Sequence, residues 1–79
     1  MKVREKADDI FLQALGNHIA TIRKEKRITQ IELGYRCDIE KQSMSRIELG
    51  ETNPTVLTLK KIATALGIPP KELLDFSVS

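Results

Sequence analysis

Apolar positions recur along this chain at intervals of three and four, without sustained alternation, and this predicts an all-α fold. Leu12, Leu15, Ile19 and Ile22 form one face of a first helix. It is expected to begin near Ile10, behind Asp8 or Asp9 as a cap, and to run to about Lys26. Thr29 followed three residues later by Glu32 reads as a capping box, and Ile28 with Leu33 as a hydrophobic staple across it. A short second helix therefore starts at Gln30 and ends near Arg36 or Cys37. The turn that follows contains Asp38, a residue that tolerates the left-handed conformation. A third helix covers about residues 41–49. Met44, Ile47 and Glu48 share one of its faces, Gln42, Ser45, Arg46 and Leu49 share the other, and Gly50 ends it. Thr55 caps a fourth helix, in which Leu59, Ile62, Ala63 and Leu66 fit an amphipathic template before Gly67. Pro69-Pro70 opens a final short helix over 71–75. The expected organisation is a loose arm at 1–9 and one five-helix domain at 10–76.

Composition narrows the chemistry. Seventy-nine residues, 41% of them hydrophobic, make one small domain whose limited core is often supported by dimerisation. Cys37 and His18 are the single cysteine and the single histidine, so no internal disulfide can form and the two cannot supply the four ligands of a structural zinc site. Cys37 reads as a small buried hydrophobe and His18 as a packing or surface residue. Hydrolytic chemistry would need a nucleophile, a base and an orienting group, and glycine-rich phosphate loops require strands. No enzyme and no cofactor are expected. An apolar segment of membrane-spanning length and a signal peptide are both absent from the pattern, so the expected location is cytoplasmic. The net charge of +2 decides little, but its distribution is uneven. Arg23, Lys24, Lys26 and Arg27 surround the single acid Glu25, a cluster suited to phosphates and equally to the carbonyl end of a helix.

Helices two and three, joined by a short turn, make a helix-turn-helix unit. Packing uses Leu33 and part of Ile31 on one and Met44 and Ile47 on the other. The opposite face of helix three keeps Lys41, Gln42, Ser45 and Arg46. Glutamine pairs bidentately with adenine, and arginine or lysine with guanine, in the major groove. The same face could simply be solvated. Gln30 stands at the first turn of helix two, whose free N–H groups favour an anion.

The run Thr29-Gln30-Ile31-Glu32-Leu33-Gly34, then Ile39, then residues 43–50, Asn53-Pro54-Thr55 and residues 59–68, closely resembles the lambda-repressor/Cro-type (xenobiotic-response-element-like) helix-turn-helix regulators. The resemblance spans about residues 15–76. It implies a lambda-repressor-like domain, nucleoid-associated, that binds double-stranded DNA. Gln30 would hold a phosphate. Glu40, Lys41, Gln42 and Arg46 would face bases or sugars, with Ser43 and Ser45 as adjacent contacts and Asn53 in a loop near the backbone. It also implies a buried ion pair between Arg23 and Glu48, which would remove Arg23 from the basic cluster.

Four positions depart from the family pattern. Gly34 stands where alanine is usual, Asp38 replaces the turn glycine, Glu40 replaces a Ser/Thr cap, and Leu49 occupies a polar position. Glu40 could accept from cytosine N4 or repel other sequences. Leu49 could touch a thymine methyl group or a protein. The function expected is a transcriptional regulator, most simply a repressor, bound as a homodimer to a pseudo-palindromic operator. Ile68, Leu73, Leu74, Phe76 and Val78 supply apolar side chains for that dimer, the last four forming the expected interface. The rival expectation is a protein-interaction module, such as an antitoxin gripping a toxin.

Overall fold

The computed structural model describes residues 5–78. Four α-helices, α1 (Lys6–Glu25), α2 (Gln30–Cys37), α3 (Lys41–Leu49) and α4 (Val56–Leu66), lead to a short 3-10 helix, Pro70–Leu74. The last element is thus a tighter turn rather than a fifth α-helix, and it begins at the proline. Among the described residues there is no strand.

α1 starts a full turn before the expected Ile10. Lys6 and Ala7 are good helix formers and nothing ahead of Ile10 stops them. Asp8 and Asp9 therefore lie inside the first turn, where their carboxylates still favour the helix dipole, and Glu5 precedes the helix without a side-chain cap. Residues 6–9 belong to α1, and the part of the expected arm at 1–4 lies outside the described residues.

Thr29 caps α2 by accepting from the Glu32 N–H at 3.0 Å. The return half of the capping box is absent. Glu32 Oε1 instead accepts from Arg36 Nη2 at 2.8 Å, one turn along the same helix. Arg36 Nη1 also donates to the Ala65 carbonyl of α4 at 3.3 Å. Asp38 closes α2 in the left-handed region, φ 58°, and the Ile39 N–H returns to the Gly34 carbonyl at 2.8 Å. A Cβ on Gly34 would stand 2.5 Å from the Ile39 carbonyl oxygen, so the departure from alanine here is required by the turn.

The largest fully buried side chains come one from each element: Ile19, Leu33, Met44, Ile62 and Leu73. α3 packs on α1 and α2, while α4 packs on α2 and the 3-10 helix. The α1–α3 contact is close. A Cβ on Gly16 would collide with the Ile47 and Glu48 carbonyl oxygens, and Gly50 lies against the Gln13 backbone. α3 is thereby seated on α1 by its last turn, with its opposite face turned outward.

Candidate nucleic-acid interface

α2 and α3 are joined by the three residues Asp38, Ile39 and Glu40. Met44 and Ile47 are buried. The outward face of α3 carries Lys41, Gln42, Ser43 and Arg46, all exposed, with Ser45 half-buried at its edge. Their side chains make no hydrogen bond or ion pair with other described residues. Glu40 precedes the helix with extended backbone, but its carboxylate caps nothing and stays exposed. Asn53 is exposed in the following loop, and an open groove brings it together with Ser43, Arg46 and the α4 cap Thr55. Leu49 projects outward at 60% exposure.

Behind this face lies one polar node. Arg23 Nε donates to Glu48 Oε2 at 2.7 Å and Arg23 Nη2 to Glu48 Oε1 at 3.0 Å, with both side chains about nine-tenths buried. Arg23 Nη1 donates to the Ile28 carbonyl at 2.9 Å. Gln30 Nε2 donates to Glu48 Oε1 at 2.9 Å. This last bond is a role for Gln30 that local pattern cannot reveal, since its partner lies eighteen residues away. It orients the amide and leaves one Nε2 proton and Oε1 uncommitted to that bond. Buried charge is tolerated only when paired and hydrogen-bonded, and here four hydrogen bonds serve one guanidinium and one carboxylate.

A model of the helix-turn-helix family matches residues 19–73, the whole of this two-helix unit and most of its support. The chain belongs to the helix-turn-helix family. The helix-turn-helix relatives include the uncharacterized HTH-type transcriptional regulator y4dJ of Sinorhizobium fredii, 42% identical over 60 residues that cover 76% of this chain and 78% of that protein. The control protein C.BamHI of Bacillus amyloliquefaciens is 38% identical over 63 residues, covering 78% of each. Among solved structures, the restriction-modification controller protein C.AhdI of Aeromonas hydrophila superposes with a TM-score of 0.77 at 29% identity, covering 78% of this chain and 94% of that one. The chain is a lambda-repressor/Cro-type helix-turn-helix regulator and not an enzyme.

The helix-turn-helix unit accounts for most of the residues singled out from sequence, but the C-terminal set divides. Leu73 is fully buried in the core and cannot meet a partner subunit. The 3-10 winding turns it inward against α4 and α1, and Leu74 outward. Phe76 is half-buried, its ring centroid 5.3 Å from that of Phe11 and 5.6 Å from that of His18. His18 Nε2 lies 2.7 Å from the Glu72 carbonyl oxygen. Leu74 and Val78 remain exposed. No described helix is long and apolar enough to cross a membrane.

Proposed function

We propose that this regulator binds double-stranded DNA sequence-specifically and represses transcription by occupying an operator as a dimer. The observation that carries the proposal is the outward face of α3. It presents Lys41, Gln42 and Arg46 exposed, unpaired among the described residues, and fixed from behind by Met44, Ile47 and Glu48. Laid in the major groove, Gln42 suits adenine, and Lys41 or Arg46 guanine. Gln30 directs its remaining amide proton to a phosphate beside the N-terminus of α2. Ser43, Ser45 and Asn53 supply adjacent sugar–phosphate contacts, and Glu40 accepts from cytosine N4 or excludes competitors.

Leu74 and Val78, with the edge of Phe76, form the apolar surface offered to a second copy. A two-fold dimer would read half-sites about 34 Å apart. Such a role implies a cytoplasmic, nucleoid-associated protein. The names of C.BamHI and C.AhdI favour control of restriction-modification genes as the setting.

Selection from a random duplex pool tests the reading. A single symmetric motif is expected, and Gln42→Ala or Arg46→Ala should relax one base position by roughly 1–3 kcal/mol while leaving the melting temperature unchanged. Failure to enrich any duplex would overturn it.

A further inference from the structure

Four described residues adopt the left-handed backbone region: Gly50 and Gly67, Asp38, and Arg27 at φ 59°. Glycine does so freely, and aspartate is among the few other residues that visit the region routinely. Arginine has no such dispensation.

The conformation at Arg27 is imposed by the fold. Lys26 is the C-cap that follows α1, the Arg27 N–H returns to the Lys24 carbonyl at 3.0 Å, and the Ile28 N–H to the Arg23 carbonyl at 3.1 Å. This reversal buries Ile28 and delivers Thr29 to its capping position. Glycine would satisfy the backbone better. The arginine side chain repays nothing inside the protein: it is exposed and makes no hydrogen bond or ion pair with other described residues. Lys24 and Lys26 are likewise exposed and unpaired.

Backbone strain retained without an internal partner points to a use outside the molecule. The loop's position says which. Arg23 holds the Ile28 carbonyl with one nitrogen and Glu48 with two others, and Glu48 holds Gln30. Ile28, the residue after Arg27, is therefore tied through Arg23 to Glu48 in the last turn of α3, and Glu48 in turn to Gln30 in the first turn of α2.

We propose that Arg27, flanked by Lys24 and Lys26, is a DNA phosphate clamp beside the groove-facing helix, held in an unfavourable backbone conformation for that purpose. The proposal rests on the DNA-binding reading and extends its footprint beyond α2 and α3. Guanidinium pairs with phosphate oxygens through a planar fork, independent of base sequence.

The test compares wild type with Arg27→Gly and Arg27→Lys by thermal melting and by fluorescence anisotropy on a labelled random-sequence duplex across a salt series. Glycine relieves the strain, partly offset by unfolded-chain entropy, so Arg27→Gly should melt at the same temperature or up to about 4 °C higher. Its binding should weaken roughly tenfold at low salt. The slope of log affinity against log salt should flatten by about 0.9 per bound protomer. Arg27→Lys should keep most of the slope. An unchanged slope and affinity in Arg27→Gly would overturn the clamp while the DNA-binding reading stands. A lowered melting temperature would overturn it too, because the arginine would then be serving the fold. No binding by wild type to any duplex would overturn the underlying reading and the clamp with it.

Discussion

Replacing Arg23 with alanine should come close to unfolding the domain. The guanidinium makes three hydrogen bonds, two to Glu48 at 2.7 and 3.0 Å and one to the Ile28 carbonyl at 2.9 Å. Arg23→Ala removes all three. It leaves a carboxylate whose side chain is only 7% exposed with Gln30 as its one remaining side-chain donor among the described residues, and it orphans the Ile28 carbonyl. Breaking one partner of a buried pair costs about 3–5 kcal/mol. A domain of 79 residues has about 4–12 kcal/mol in total. At about 4–8 °C per kcal/mol for this size, the midpoint should fall by at least roughly 12 °C. Urea unfolding followed by circular dichroism reads the loss directly. The double variant Arg23→Met with Glu48→Met leaves no uncompensated charge and should recover much of it. A loss below about 1 kcal/mol in the single variant, the level of an exposed pair, would refute the reasoning. So would a double variant no more stable than Arg23→Ala.

Two other outcomes follow from the packing. Gly16→Ala improves helix propensity by about 1 kcal/mol, yet the new Cβ collides with the Ile47 and Glu48 carbonyls; net destabilisation of roughly 1–2 kcal/mol is expected in chemical denaturation, and a stabilised variant would show that α3 can retreat from α1. Burial pushes the Cys37 thiol above its ordinary pKa, with Lys61 pulling partly back. The folded thiol thus holds its proton more tightly than the unfolded one, so its contribution to stability is intact below the unfolded pKa and is lost as pH rises through the folded value. The stability gap between wild type and Cys37→Ala should narrow in the alkaline range, and iodoacetamide should modify the native thiol far more slowly than the denatured one.

What was legible in the sequence was what neighbours decide. Thr29 and Thr55 cap their helices because the cap and its N–H partner are three residues apart. The stripe Leu12, Leu15 and Ile19 is buried because helical period alone puts it on one face. Local pattern is insufficient where two nearby partners compete or where the decisive partner is distant. Glu32 could serve the Thr29 N–H or Arg36, and the charged partner one turn away won. Gly34 looks merely tolerable in a helix until the Ile39 carbonyl arrives beside it from across the turn. Five residues are too few to display a period, so nothing in Pro70–Leu74 distinguished 3-10 from α winding, and with it whether Leu73 or Leu74 faced the core. At the candidate interface, the resemblance implied a link between Arg23 and Glu48, and the structure pairs them. The Gln30–Glu48 bond, the strain at Arg27 and the His18–Glu72 contact carry no local signature.

The backbone-to-backbone seating of α3 on α1 at Gly16 bears on how operators could be discriminated. Side chains can re-rotate to suit an imperfect partner, but two main chains in contact leave no slack between them. The α3 face therefore behaves as a stiff die rather than a pliable finger. On the proposed DNA-binding reading, a duplex whose groove is too narrow would have to deform in place of the helix, and the elastic stiffness of the DNA at bases no side chain touches would become part of the recognition code.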